Sequence, residues 1–308
     1  MATSFKQLIQ QAGAQPPART AVVHPCDVPS LQGALDAADR GLIEPVLVGP
    51  RARIEGAAET AGRRIDGIEL IETPHSHASA ETAVAVIQSG RAEALMKGSL
   101  HTDELMHEVL RKEAGLRTER RLSHVFALEV PGQSRLFFVS DAAINIQPDL
   151  LTKADIVANA IDCVRALGID RPKVAILSAV ETVTPKIPST VEAAALCKMA
   201  ERGQITGGDI DGPLAFDNAV NEEAARVKGI VSPVAGRADI LIAPDMEAGN
   251  MIAKQLTYLA NATAAGVVMG ARVPIILTSR ADGPAGRLAS AAVASLVAAA
   301  RRAATVLA

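Results

Sequence analysis

The stretch Val273-Pro-Ile-Ile-Leu-Thr-Ser-Arg-Ala-Asp282 runs from apolar residues directly into hydroxyls, a guanidinium and a carboxylate. Val273 to Leu277 reads as a short buried strand of a parallel sheet. Ser279, Arg280 and Asp282 then fall just past its carboxyl end, where open α/β sheets hold their ligands. A helix expected over Arg287–Ala300 turns its N-terminus toward the same place, which favours an anion. Ordinary loop composition looks the same, with Asp282 or Ser279 satisfying helix amides, so both readings stay open.

Similar polar turns follow other apolar runs. Lys97-Gly98-Ser99-Leu100-His101-Thr102 combines a glycine, which permits close backbone approach, with ammonium, hydroxyl and imidazole donors for a small anion. It lacks P-loop spacing, and a strand–helix turn capped by Thr102 or Asp103 fits equally well. Asp141 and Asn145 could orient a substrate or fix a joint by hydrogen bonds. Glu181 and Lys186 follow one strand, Asp217 and Asn218 another, Asp245 and Asn250 a third. No Gly-x-Gly-x-x-Gly or Gly-x-Ser-x-Gly stands after a strand. His75 and His77 read as a surface loop, and no metal-ligand spacing is evident.

Strands and helices must alternate to position these turns. Strands are expected at 19–24, 45–48, 68–71, 94–97, 173–178, 212–216, 240–243, 266–270 and 273–277. A hairpin is expected at 123–129 and 135–139, around Pro131-Gly132. Helices are expected at 30–40, 51–62, 80–90, 103–111, 153–168, 189–202, 221–229, 250–260 and 287–300. Ser30 is the expected N-cap of the first of these and Gly41 its C′ residue. Such alternation marks a doubly wound α/β fold. With no Gly/Ser linker, two closely joined α/β/α domains with a cleft fit better than separate beads.

Composition narrows the function. Aromatics make up 2% of the 308 residues and Trp is absent, so base-stacking platforms for nucleic acid are missing. The net charge of −3 gives no basic face for a phosphate backbone. Cys26, Cys163 and Cys197 are odd in number and widely spaced, as expected of reduced thiols in the cytoplasm. Residues 1–14 lack a signal peptide's layout, and the apolar run 288–300 is too short to span a bilayer. That run and the Ala-rich helices suggest apolar surface to be covered in a homodimer.

Together the blocks Met96-Lys-Gly-Ser-Leu-His-Thr-Asp103, Ser140-Asp-Ala-Ala-Ile-Asn145, Lys173-Val-Ala-Ile-Leu-Ser-Ala-Val-Glu181, Asp211-Gly-Pro-Leu-Ala-Phe-Asp217, Ala248-Gly-Asn250 and Leu277-Thr-Ser-Arg-Ala-Asp282 resemble the phosphate acetyltransferase/phosphate butyryltransferase family. The chain is also similar to the transferase half of enoyl-CoA hydratase fusions, without a hydratase part, so a free-standing transferase is expected. The resemblance implies an isocitrate/isopropylmalate dehydrogenase-like fold: a first domain of residues 1–139 and 267–308, a second of 140–266, and the active site between them. It implies reversible acyl transfer between coenzyme A, as substrate, and phosphate, with no tightly bound cofactor, no metal and a dimeric state. Ser279 and Arg280 match the family's catalytic pair, with Asp282 a candidate base. The substrate-binding candidates are Lys97, Gly98, Ser99, His101, Thr102, Asp141, Asn145, Glu181, Lys186, Asp245 and Asn250. Acetyl-specific members carry an Asp where Gly286 stands and an Arg where His107 aligns. Those departures point to the butyryl-like subgroup and leave acyl length open. The alternative is a non-catalytic acyl-CoA-sensing module like the C-terminal domain of malic enzymes.

Overall fold

The expected alternation is present in the computed structural model, which describes residues 4–112, 115–278 and 282–307. In chain order the elements begin α1 (Phe5–Gly13), β1 (Ala18–Val23), α2 (Val28–Asp39), β2 (Ile43–Gly49), α3 (Arg51–Thr60), β3 (Glu69–Glu72), α4 (Ser76–Gln88), β4 (Ala94–Lys97) and α5 (Thr102–Leu110). They continue with β5 (Ser123–Glu129), β6 (Phe137–Ser140), α6 (Leu150–Ala166), β7 (Lys173–Leu177), α7 (Pro188–Glu201), β8 (Asp209–Leu214), α8 (Phe216–Val220) and α9 (Glu222–Val227). The last are β9 (Ile240–Ile242), α10 (Met246–Leu259), β10 (Thr263–Met269), β11 (Ile275–Ile276) and α11 (Pro284–Leu307).

The fold is a mixed α/β fold with a large sheet, and its contacts group the chain into two compact units. One comprises Phe5–Arg120 and Ala265–Ala308, the other Arg121–Ala264. In the first, the strand order is β3-β2-β1-β4-β11-β10. Strands β1, β2, β3, β4 and β11 are mutually parallel, while β10 runs antiparallel to β11. Strand β1 lies between β2 and β4 and is almost wholly buried, in keeping with its apolar end Ala21-Val22-Val23. Pro45 is tolerated inside β2 because pairing with β3 starts only at Val46, so its missing N–H costs no bond on that side.

In the second unit the order is β5-β6-β9-β7-β8. Strands β5 and β6 form the expected antiparallel hairpin, and β6, β9, β7 and β8 are parallel. This hairpin, placed in the first domain on sequence grounds, groups with the second unit because β6 is hydrogen-bonded to β9. Leu128, Phe137, Val139, Leu177, Leu214 and Leu241 build the core of this unit, each Leu or Val contributing about 1.5–3 kcal/mol by leaving water.

Helix boundaries moved where a cap was misread. Asp27, not Ser30, caps α2, accepting the Ser30 amide at 2.8 Å. Helix α4 starts earlier than expected because His75 Nδ1 accepts the Ala78 amide at 3.2 Å. His75 and His77 therefore open a helix and do not lie in a loop. Asp149 and Asp245 cap α6 and α10, which also begin earlier than periodicity suggested. Phe216 starts a short helix and does not end a strand. Helix α1 was not anticipated; Phe5, Leu8 and Ala12 form its buried stripe. The apolar run in α11 is buried, with Ala289, Val293, Leu296 and Val297 almost inaccessible, so it presents no apolar face to a partner.

Candidate active site

Because β2, β1, β4 and β11 are parallel, their carboxyl ends share one edge of the first unit's sheet. That edge brings the Lys97–Thr102 turn and Thr278, just past β11, to the same side of the sheet, although they are far apart in sequence. Ser279 and Arg280 lie outside the described residues. Thr278 and Asp282, which flank them, are both partly buried.

Gly98 sits where no side chain fits: a β-carbon would stand 2.3 Å from the Val23 carbonyl oxygen and 2.7 Å from that of His24. The Gly98 amide donates to the Val23 carbonyl at 2.9 Å, and the Ser99 amide to the His24 carbonyl at 2.9 Å. Ser99 Oγ donates to that same carbonyl at 2.8 Å and accepts the Cys26 amide at 3.1 Å. The hydroxyl is thereby committed to the turn itself. Lys97 is 8% exposed, and its ammonium lies 3.4 Å from the Gly98 carbonyl oxygen. His101 occupies the N-cap position of α5 without a side-chain capping bond, so Thr102 is the first helical residue and neither it nor Asp103 is the cap. Both His101 and Thr102 are exposed.

Sequence reasoning passed over His24, which follows β1. Its backbone is left-handed at φ 54° and its side chain is 2% exposed. Arg53 Nη1, always a donor, lies 3.3 Å from Nε2, so that nitrogen accepts and Nδ1 carries the proton. Nδ1–H then donates to Ser79 Oγ at 3.0 Å, Thr73 Oγ1 donates to the same oxygen at 2.8 Å, and Ser79 donates to the His75 carbonyl at 2.9 Å. Burial first, then the Arg53 charge, lowers the imidazole pKa below 6.5 and keeps it neutral. The signal that could have found it is the polar turn His24-Pro-Cys-Asp27 after an apolar run. Burial pushes the Cys26 thiol up to about 11, which disfavours the thiolate. Burial likewise pushes Cys197 up to about 12.

Asp282 and Arg287 line a cavity of about 300 Å³ with Val28, Gln32 and Gly33 of α2. Arg287 Nε donates to the Asp282 carbonyl at 3.1 Å, and its Nη1 to Thr278 Oγ1 at 3.3 Å. Helix α11 begins at Pro284, which makes Gly283 the N-cap position and puts Asp282 one residue before it.

In the second unit the polar candidates divide. The Asp141 carboxylate is 2% exposed and accepts the amides of His124, Ala143, Ile144 and Asn145 at 3.3, 3.0, 3.2 and 3.1 Å. Asn145 Nδ2 adds a fifth bond at 2.5 Å and also donates to the Leu122 carbonyl at 2.8 Å. Asn250 Nδ2 donates to the Ala142 carbonyl at 3.0 Å, and a β-carbon at Gly249 would stand 2.2 Å from the Asp141 carbonyl oxygen. Asp141, Asn145 and Asn250 thus come together, locking one turn against the start of α10. Asp245 accepts the Ala248 amide at 2.8 Å as the helix cap. Glu181 is held elsewhere, by Lys228 at 3.2 Å and Asn218 Nδ2 at 3.3 Å. Its own amide and then Lys228 hold its carboxyl below the ordinary range. Lys186 is exposed.

Among the described residues no group of His, Cys, Asp or Glu could hold a metal ion, and no helix is long and apolar enough to cross a membrane. Residues 77–295 match the family described as phosphate acetyl/butaryl transferase. The chain is 63% identical to a phosphate acetyltransferase of Rhizobium meliloti, over 99% of this chain and 97% of that one. It is 41% identical to a phosphate butyryltransferase of Clostridium acetobutylicum, over 97% of this chain and 99% of that one. A crystal structure of a branched-chain phosphotransacylase from Enterococcus faecalis superposes with a TM-score of 0.79 at 30% identity, covering 91% of this chain and 99% of that one.

Proposed function

Because the chain belongs to the phosphate acetyltransferase/phosphate butyryltransferase family, we propose that Ser279, Arg280 and Asp282 carry its acyl transfer between coenzyme A and phosphate. The enzyme is a phosphate acyltransferase with coenzyme A as a substrate. The carrying observation is the 63% identity over 99% of the chain, which supports catalysis over a non-catalytic acyl-CoA sensor. Identity to the acetyltransferase exceeds that to the butyryltransferase, 63% against 41%, which supports acetyl as the preferred group despite Gly286 and His107.

An acyl phosphate already has a good leaving group, so the protein need only position a thiolate and hold charge. The coenzyme A sulfur bonds to the carbonyl carbon, the carbon–oxygen bond to phosphate breaks, and the thiol proton passes to a base. In this reading Arg280 grips the reacting phosphate and Ser279 hydrogen-bonds at the thiol. Asp282 takes the proton. The Lys97–Thr102 turn is read as substrate-binding through Lys97, Gly98, His101 and Thr102, with Ser99 holding its shape. Asp141, Asn145, Glu181, Lys186, Asp245 and Asn250 remain candidates from the second unit; the bonds of Asp141, Asn145 and Asp245 favour scaffolding roles.

The finer fold reading is an isocitrate/isopropylmalate dehydrogenase-like pair of domains, one of them discontinuous. A homodimer and a cytoplasmic setting complete it. Met251, Tyr258 and Leu259, all strongly exposed along α10, support the dimer, and the three free thiols support the setting. Initial rates of acyl-CoA formation on acetyl, propionyl and butyryl phosphate test the function. The expected order is acetyl first. Arg280→Ala should lower the rate by about 10²–10³ in a folded protein. Binding of coenzyme A esters without turnover would leave the sensor.

A further inference from the structure

Arg53 stands in the first turn of α3, just past β2, and its guanidinium reaches over the exit of β1, where Nη1 donates to His24 Nε2 at 3.3 Å. Among the described residues no carboxylate lies within ion-pairing distance of it. Other arginines of the same unit are paired. Arg51, two positions earlier, meets Glu55 at 3.4 Å and Glu72 at 3.6 Å, and Arg63 meets Asp36 and Asp39, each at 2.6 Å. The two carboxylates that act on His24 are placed otherwise: Asp27 accepts the Ser30 amide at 2.8 Å, and Glu104 faces His77 at 3.9 Å. The imidazole is 2% exposed and tied to Ser79 Oγ at 3.0 Å, so it is a fixed support, whereas Arg53 itself is exposed. A guanidinium held by a neutral ring keeps its whole charge for a ligand. It also keeps most of its five N–H donors, which fit a phosphate two at a time.

From these contacts we propose that Arg53 binds a phosphate group of the coenzyme A substrate, and that His24 is the positioning residue that holds the guanidinium for it. The proposal rests on the acyltransferase reading above. Strand β1 is two places from β11 in the sheet. Neighbouring strands are about 4.8 Å apart, so the exit at His24 stands roughly 10 Å across the sheet edge from that of β11. Arg53 is therefore badly placed to grip a phosphate reacting at β11. Coenzyme A carries a diphosphate and a 3′-phosphate many bonds from its thiol, and these can lie over β1 while the thiol lies farther along the edge.

The test compares Arg53→Met, His24→Asn and the double variant in the full chain, with acetyl phosphate as donor. The acceptor thiols are coenzyme A, 3′-dephospho-coenzyme A and pantetheine, which has the thiol but no phosphate. Arg53→Met should raise the KM for coenzyme A by about 10- to 100-fold, the worth of one charge-assisted contact. Its kcat and its KM for acetyl phosphate should stay within about threefold, as when uniform binding is lost. With pantetheine, Arg53→Met and the unsubstituted chain should have equal KM. A difference that disappears with 3′-dephospho-coenzyme A assigns Arg53 to the 3′-phosphate, and one that persists assigns it to the diphosphate. His24→Asn should raise the KM for coenzyme A in the same direction, and the double variant should be no worse than Arg53→Met, because the two residues act through one contact. An unchanged KM for coenzyme A in Arg53→Met would overturn the proposal. So would a raised KM for acetyl phosphate alone, or an equal loss with pantetheine. Additive effects in the double variant would remove the positioning role of His24. If the unsubstituted chain transfers no acyl group, the acyltransferase reading fails, and calorimetric titration of coenzyme A into the unsubstituted chain and Arg53→Met still decides whether Arg53 binds it.

Discussion

Ser99 Oγ donates to the carbonyl of His24 at 2.8 Å, across 75 positions of sequence, while the Ser99 amide donates to the same oxygen at 2.9 Å. Two adjacent strand exits, those of β1 and β4, are thereby fastened to each other. The left-handed backbone of His24 aims its carbonyl at this task, and its buried ring is tied to Ser79 and Arg53. A turn rich in anion donors is therefore also a structural knot. Substitutions there will register in stability as well as in activity.

Gly98→Ala should be severely destabilising, because its β-carbon would press on backbone, which cannot swing aside as a side chain can. A cost of about 1–3 kcal/mol or more is expected. Ser99→Ala should cost about 1–3 kcal/mol, by leaving the Cys26 amide without its partner. Urea unfolding monitored by circular dichroism measures both.

Asp141→Asn should destabilise by about 2–3 kcal/mol, since an amide offers one acceptor oxygen to donors that now share two. Asn145→Ala, which removes a single side chain's bonds, should cost less. Equal midpoints for Asp141→Asn and the unsubstituted chain in urea would contradict the scaffolding role.

His24 makes stability depend on pH. Its folded pKa is depressed below 6.5, so under acid the unfolded chain takes up a proton that the folded chain resists. The contribution is complete above pH 6.5 and is lost as pH falls through the folded value. Asn tolerates a left-handed backbone, which makes His24→Asn the variant of choice. Its unfolding free energy should fall less steeply below pH 6.5 than that of the unsubstituted chain.

Asp282→Asn should lower the transfer rate by about 10²–10⁴ and change the acid limb of its pH profile, as expected when a base is lost. Asn keeps the size and an acceptor oxygen of the Asp side chain, so helix stability should change little. An Asn variant with normal rate and profile would move the base to another residue.

Much of the fold was legible in the sequence because its signals are local. The apolar run Ala21–Val23 and the polar residues after it announce a buried strand and its exit wherever the chain goes next. The hairpin around Pro131-Gly132 and the Gly41 terminus of α2 are equally local, and both are present in the fold. Caps were harder. Asp27 and Ser30 are both good N-cap residues, and only the backbone decides which one faces free amides. The polar residues at strand exits could likewise be identified, but their duties could not. Asp141 is consumed by bonds to His124 and Asn145, and Asp245 by the start of its own helix. Ser99 is spent on a carbonyl that no local pattern brings near. The insertion of β11 between β4 and β10, which pairs Ile276 with Met96, also has no sequence signal. Periodicity specifies which face of an element is buried. The partner of a hydrogen-bonding group depends on which strands become neighbours, and that is decided only when the whole core packs.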